Sequence, residues 1–299
     1  MTSDDIAVLA NPHAGRGRHR GLLSKVLDRL GASGRTVRLL SAAGPEEAEK
    51  ACHRAVAEGV GALVAVGGDG TLHRAVQAVA GTTVGFGIVP AGTGNDFAAG
   101  AGVPADPLAA ADAIAEAVRA GHATAIDLAR VTTTEGDVRW FGAVLAAGFD
   151  AIVNERANRM RWPRGPRRYD LAILLELARL RPRGYSLVLD GVDRSLSGVL
   201  VAIGNCPSYG GGMLICPDAD PADGLLDVVV AGPLGRGAVA RLKPRLRRGT
   251  HVTDPAVSSY RAREIKITSE GIFAYADGER VAALDLVVTC VPGAVRLLR

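Results

Sequence analysis

The pentapeptide Gly67-Gly68-Asp69-Gly70-Thr71 stands between an unbroken apolar run, Leu63 to Val66, and a stretch from Leu72 to Val79 that can continue as a helix. A short apolar run bounded by glycine reads as a strand buried on both faces, as in the parallel sheet of an α/β fold. Glycines at such a strand exit let the backbone approach a polyanion and aim several N–H groups at it, while the helix N-terminus adds a favourable dipole. Two adjacent glycines alone fit an ordinary turn with positive φ equally well. The buried-strand context, with Asp69 and Thr71, favours a phosphate cradle.

The first third of the chain repeats this pattern. Ile6 to Ala10, Val37 to Leu40 and Gly85 to Val89 read as further strands; Arg20 to Leu30 and Pro45 to Glu58 read as crossover helices, the second with Pro45 at its start and acids in its first turn. The second loop, Pro90-Ala91-Gly92-Thr93-Gly94-Asn95-Asp96-Phe97-Ala98, leaves Gly85 to Val89 as the first cradle leaves its strand, and Asn11-Pro12-His13-Ala14-Gly15 follows the first strand. Loops at the carboxyl ends of parallel strands face one crevice, where open α/β sheets bind ligands. No GxxxxGK[ST] and no GxGxxG after the first strand occurs, so neither a Walker loop nor a dinucleotide fingerprint is supported.

From about Ile126 the pattern turns strand-like: Asp127 to Val131, Arg139 to Ala146, Tyr185 to Leu189, Ser197 to Ile203 and Leu226 to Ala231, with Glu264 to Thr268 and Leu284 to Thr289 flanking Ala276 to Glu279. One inserted helix is expected at Arg168 to Leu180, with Leu171, Leu174, Leu175 and Ala178 on one face. The expected organisation is an α/β nucleotide-binding domain over residues 1–125 and a mainly β, sandwich-like domain over 126–284. At 299 residues the chain suits two such cores, and with 48% apolar residues it has material for both.

Cys52, Cys206, Cys216 and Cys290 form no CxxC pair and the six histidines no ligand-spaced pair, so a disulfide framework and a zinc site are not indicated. The polar start and the lack of any apolar run of about 18 residues predict a cytoplasmic protein that does not span a membrane. The net charge of +4 is modest, but arginine clusters in Arg156 to Arg183 and again in Arg236 to Arg248. The first cluster holds nine arginines against Asp170 and Glu176, interleaved with Trp162, Tyr169 and leucines. Two readings stand for it: a segment lying on an anionic bilayer, or an ordinary amphipathic helix with solvated arginines. No motif of a nucleic-acid-binding fold accompanies the charge.

Together these residues resemble the diacylglycerol kinase catalytic domain family, which takes in bacterial lipid kinases and the related sphingosine and ceramide kinases. Besides the three loops, the resemblance covers Gly148-Phe149-Asp150, Gly210-Gly211-Gly212-Met213 with Pro217, Asp223-Gly224-Leu225-Leu226-Asp227, and Asp277-Gly278-Glu279, essentially the whole chain. GGDGT alone is shared with NAD kinases. The resemblance implies a fold of the NAD kinase and diacylglycerol kinase type, in which residues from about 285 to 299 return to the first domain. It implies ATP across Asn11 to Gly15, Gly67 to Leu72 and Thr93 to Asp96, with Ser41 on the adenosine side. Ala14 stands where relatives often carry serine, which removes one hydroxyl contact.

Phosphoryl transfer needs positioning, charge neutralisation by Mg²⁺ and an acceptor for the substrate hydroxyl proton. Asp277 and Glu279 offer two carboxylates; the resemblance makes this motif the source of the general base, with Glu279 preferred and Asp277 the alternative. Read alone, the tripeptide is also a plain β-turn with two solvated acids. Asp69 is the candidate for orienting the catalytic Mg²⁺. The resemblance further implies a second, structural Mg²⁺ on the side chains of Asp220 and Asp223 and the Leu225 carbonyl, oxygen ligands that suit a hard cation. The expected function is an ATP-dependent lipid kinase of phospholipid metabolism, able to contact the anionic inner face of the membrane. The alternatives are a kinase of a soluble acceptor such as NAD, or an ATP-binding protein without catalysis.

Overall fold

A computed structural model describes residues 3–10, 20–160, 162 and 166–299, which divide into two compact units. The first is drawn from Met1–Leu128, Pro221–Asp223 and Val291–Arg299, the second from Ala129–Asp220 and Gly224–Cys290.

In the first unit β1 (Ser3–Ala10), β2 (Val37–Leu40), β3 (Val60–Gly67) and β4 (Gly85–Pro90) form a parallel sheet in the order β4-β3-β1-β2. The sheet is built from apolar runs because both faces are covered: β3 is buried along Ala62 to Gly67 and β4 along its whole length. On one face, α1 (Arg20–Gly31) and α5 (Pro107–Ala120) bury Val26, Leu30, Ala111 and Ile114 against Ile6, Val8 and Val64. Helices α2 (Pro45–Ala57) and α3 (Asp69–Val79) pack on each other and on β3, burying Ala51, Cys52, Leu72 and Val76. The short α4 (Asp96–Gly100) follows β4.

The unit's three separate pieces of chain meet at Asp127, which is buried in β5 (Thr124–Thr133). Its backbone N–H donates to the Pro221 carbonyl (2.8 Å), and its side chain accepts from the Gly293 N–H (2.8 Å). The end of β15 (Glu279–Leu298) then lies parallel to β4 through Arg296, Leu297 and Leu298.

The second unit is antiparallel. Its strands are β6 (Val138–Phe141), β7 (Val144–Gly148), β8 (Arg183–Leu189), β9 (Val192–Asp193), β10 (Leu196–Gly198), β11 (Leu200–Gly204), β12 (Leu226–Ala231), β13 (Val257–Ala262), β14 (Glu264–Ala276) and the first part of β15. They run β13-β12-β11-β7-β14-β15, with β8 also on β14. Its core gathers Phe141, Leu145, Leu187, Val201, Ile203, Val228, Ile265 and Leu286. Helices α6 (Phe149–Arg159) and α7 (Pro166–Ala178) pair through Val153, Ala157 and Ala172, and α8 (Arg236–Leu246) carries the second arginine cluster.

Several boundaries differ from the sequence reading, each for a local reason. Helix α3 begins at Asp69 rather than near Leu72, because Gly68 ends the extended chain and its carbonyl accepts from Thr71 and Leu72. The run Arg139 to Ala146 is two strands: the N–H groups of Gly142 and Ala143 go to the Asp277 carboxylate instead of a ladder. Ser197 to Ile203 likewise breaks at Val199, whose N–H and C=O bond Ala231 and Phe149. Helices α5, α6 and α8 escaped the reading, although α5 carries the Asp106 cap, Pro107 at its start and Gly121 beyond its end. In α7 the expected leucine face is not the packed one: Leu174 is 64% exposed, while Ala172 and Ile173 meet α6.

The Asp106 carboxylate accepts from the N–H groups of Leu108 (3.1 Å) and Ala109 (2.8 Å). Asp106→Ala is expected to lower unfolding free energy by about 1 kcal/mol, read by urea denaturation.

Candidate active site

In the first unit the exits of β2, β3 and β4 lie along one edge of the sheet, since all strands are parallel and in register: Leu9 opposite Leu40, Ala10 opposite Val66, Gly67 opposite Pro90. The strand order reverses between β1 and β3, so the GGDGT loop stands at the switch point, where side loops diverge and leave a crevice. Asn11, Pro12, His13, Ala14 and Gly15 lie outside the described residues. Ser41 follows β2 directly and is exposed.

Asp69 joins the two glycine loops. Its Oδ2 accepts from the Asn95 N–H and its Oδ1 from the Asp96 N–H, both at 2.9 Å, at the first turn of α4. Asn95 sits in the left-handed region (φ 60°), and its side chain both accepts from the N–H and donates to the carbonyl of Gly92, each at 3.1 Å. The glycines serve this contact rather than a left-handed turn. A Cβ on Gly92 would stand 2.4 Å from the Gly68 Cα, and one on Gly94 would stand 2.2 Å from the Asp69 Oδ2. Gly67, Gly68, Gly70, Thr71, Leu72, Thr93 and Asp96 thus belong to two loops whose backbones touch; Thr93 is exposed and Asp96 buried.

In the second unit Asp277 and Gly278 are the two central residues of the hairpin between β14 and β15, with φ of 51° and 83°. Both values are positive, as a tight two-residue hairpin requires. The Asp277 carboxylate reaches the N–H of Gly142 (3.0 Å) and of Ala143 (2.9 Å). Glu279, paired with Ala276 across the hairpin, is half-buried.

Asp220 and Asp223 are exposed and Leu225 half-buried, on the loop before β12 where Gly224 has φ 76°. Among the described residues no group of three or more His, Cys, Asp or Glu side chains gathers as a metal site. Two carboxylates and a carbonyl on one short exposed loop remain a donor set of hard oxygens, which fits Mg²⁺ or Ca²⁺ and not a soft metal. At Asp69 the carboxylate accepts the N–H groups of Asn95 and Asp96, and a carboxylate is a hard oxygen donor of the kind a hydrated Mg²⁺ takes.

The sequence reading assigned no role to the surroundings of Asp150. Its Oδ1 accepts from the Ala151 N–H (2.9 Å), while Oδ2 is buried without a partner. Burial, opposed by hydrogen bonds from Ala151 and Tyr209, pushes its carboxyl up to about 6. Tyr209 opens the Gly210-Gly211-Gly212 turn, whose three residues all have positive φ and which closes by paired backbone bonds between Tyr209 and Met213.

Residues 5–131 match the model for the diacylglycerol kinase catalytic domain, and residues 143–299 the model for the YegS C-terminal NAD kinase beta sandwich-like domain. The chain belongs to the diacylglycerol kinase family. It is 42% identical over 296 residues to the diacylglycerol kinase of Mycobacterium tuberculosis strain H37Rv, covering 98% of this chain and 94% of the relative. A Xanthomonas oryzae protein named "Probable lipid kinase YegS-like" is 34% identical over 264 residues, 84% of this chain and 82% of that one. The crystal structure of a Bacillus anthracis diacylglycerol kinase superposes with a TM-score of 0.74 at 20% identity, covering 99% of this chain and 96% of that one, and so shares its fold. Family membership makes the chain a kinase, with ATP as the phosphate donor that kinases use.

Two outcomes follow from these contacts. Asp69→Ala leaves two backbone N–H groups without their acceptor and is expected to lower unfolding free energy by about 2 kcal/mol in urea denaturation, with Asp69→Asn retaining part of it. For Asp150, a folded value above the unfolded one means the charged form is disfavoured in the folded state. Its penalty is absent below about pH 4, grows as pH rises toward 6 and is complete above it. Asp150→Asn is therefore expected to raise stability at pH 7 by about 1 to 2 kcal/mol, with the gain vanishing by pH 4 in melting scans.

Proposed function

We propose that this chain transfers the γ-phosphate of ATP to the hydroxyl of a membrane lipid, diacylglycerol or a closely related alcohol, as a step of phospholipid synthesis. The relative from Mycobacterium tuberculosis that bears the name diacylglycerol kinase matches nearly end to end, which supports this acceptor class. The observation that carries the chemistry is the placing of two acids at the tip of one hairpin, Asp277 in the turn with its carboxylate on the Gly142 and Ala143 amides and Glu279 half-buried one residue beyond it.

Asp277 accepts from two amides, so it positions the 142–143 backbone and the hairpin. Glu279, half-buried one residue beyond the turn on β15, is the group assigned to accept the acceptor hydroxyl's proton. The GGDGT loop and residues Thr93 to Asp96 offer backbone N–H groups and the N-terminal end of α3 to the donor phosphates, with Asn11 to Gly15 and Ser41 assigned to the same nucleotide. Asp69 holds the two described loops in contact and is assigned to the catalytic Mg²⁺, while Asp220, Asp223 and the Leu225 carbonyl are assigned to a second, structural ion. Mg²⁺, when bound, supplies neutralisation of the charge shared by the phosphate oxygens.

A lipid acceptor calls for contact with a surface. No helix among the described residues is long and apolar enough to cross a membrane. Trp162 is 78% exposed and Leu174 64% exposed, both within the arginine-rich segment, a combination suited to the headgroup region of an anionic leaflet. The protein is accordingly assigned to the cytoplasmic side of the membrane as a peripheral enzyme.

The test is transfer of labelled γ-phosphate from ATP and Mg²⁺ to diacylglycerol and other lipid alcohols in mixed micelles, with NAD as a soluble acceptor in parallel. Label in a lipid supports the reading; label in NAD alone, or in no acceptor, refutes it. Glu279→Gln is expected to lower kcat by about 10²- to 10⁴-fold in a protein that still folds, and Asp277→Ala should lower both activity and melting temperature. Normal turnover of Glu279→Gln would remove it as the base.

A further inference from the structure

A half-open cavity of about 510 Å³ lies in the second unit, among α6, α7, the start of β8 and the first residue of α8. Arg156, Arg179, Arg181, Arg183 and Arg236 line it, with Glu176 as its one carboxylate. Glu176 is taken by an ion pair with Arg156. Among the described residues, Arg179, Arg181, Arg183 and Arg236 have no carboxylate within ion-pair reach, and these four exposed guanidiniums come from three places in the chain: the end of α7, β8 and α8.

A second observation at the same place also points to a ligand. Tyr185 lines the cavity, is 2% exposed, and its hydroxyl is buried with no hydrogen-bond partner. Leaving a buried hydroxyl unbonded is unfavourable by about 1 to 3 kcal/mol, so a group that accepts its proton is expected there. Phe149, Ile152 and Val199 supply apolar wall beside these donors. Like charges gathered on one concave wall repel unless an anion joins them, and planar guanidinium forks match the oxygens of a phosphate better than any other common anion except a carboxylate.

We propose that this cavity binds a phosphate-bearing amphiphile, the phosphate on Arg181, Arg183 and Arg236 with the Tyr185 O–H donating to it, and the first carbons of an apolar chain along Phe149, Ile152 and Val199. Such a molecule has the chemistry of a phosphorylated lipid, the class of product that the proposed transfer makes. Its identity as a lipid rests on that reading; the anion site rests on the cavity alone. Bound there, a phosphorylated lipid would couple the enzyme's retention at a surface to the amount of product that the surface already holds.

The experiment titrates the full chain by calorimetry with dihexanoyl phosphatidic acid below its micellar concentration, with inorganic phosphate, and with uncharged dihexanoylglycerol. Arg181→Gln/Arg183→Gln and, separately, Arg236→Gln are compared with the unaltered protein, and melting curves check that each folds. The lipid phosphate is expected to bind the unaltered protein at least tenfold tighter than inorganic phosphate. Its affinity should fall about tenfold in the double variant and about threefold in Arg236→Gln and in Tyr185→Phe, with dihexanoylglycerol binding changed by less than twofold. Equal binding of inorganic phosphate, or unchanged lipid-phosphate affinity in folded arginine variants, overturns the proposal. Arginine-dependent binding in a protein that labels no lipid with ATP would support the cavity while removing the lipid kinase reading; labelled lipid with arginine-independent binding would do the reverse.

Discussion

The first unit of this protein depends on one carboxylate accepting two neighbouring amides. Asp69 opens α3 and, through 2.9 Å bonds to Asn95 and Asp96, draws the exit of β4 onto the exit of β3. The contact is possible because the loops present glycine where they cross, with Gly68 and Gly92 too close for a side chain on either. Composition, backbone path and hydrogen bonding are therefore one constraint. The glycines assigned to the donor phosphates also let the loops approach each other, and the Asp in GGDGT is the strut that holds the result.

The second unit repeats the device with different parts. Asp277, at the tip of a long hairpin, takes the amides of Gly142 and Ala143 and separates β6 from β7. Asn205 closes the other side, its side-chain amide donating to the Gly142 carbonyl at 2.8 Å. Asp190, in the left-handed region like Asp277, binds the N–H groups of Arg263 and Glu264 in the same manner. A carboxylate at a turn is an efficient way to satisfy amides that a strand break leaves over, because charged acceptors make the stronger hydrogen bonds.

Much of this was legible in the sequence, and where it was not the reason is physical. Period and run length gave the parallel strands, since a strand buried on both faces has no polar alternation to confuse it. The breaks at 142–143 and at Val199 were invisible because apolar residues continue across them; only the distant partners Asp277 and Ala231 divert the backbone. Helix α6 was missed because it begins at once after β7 without a side-chain cap. On α7 the leucine spacing was helical, as read, yet the face it marks is turned outward, which periodicity cannot tell from inward. Within the candidate site, the residue types were readable from GGDGT, the Thr93 to Asp96 loop and the Asp277 turn. That Asp69 and Asp277 are tied up in backbone contacts, and that Asp150 has a buried oxygen, required the fold.

The first unit also has an unusual relation to time. Its sheet is completed by Arg296 to Leu298 beside β4, Gly81 donates to the Ala294 carbonyl, and Asp127 holds both Pro221 and Gly293. A nascent chain that has emerged as far as β5 thus lacks an outer strand and two of the partners its nearest buried aspartate needs. Until residues 291–299 leave the ribosome, β4 is an open edge able to pair with another chain. The order of synthesis and the order of completion run opposite ways, so the second unit can finish while the first still waits.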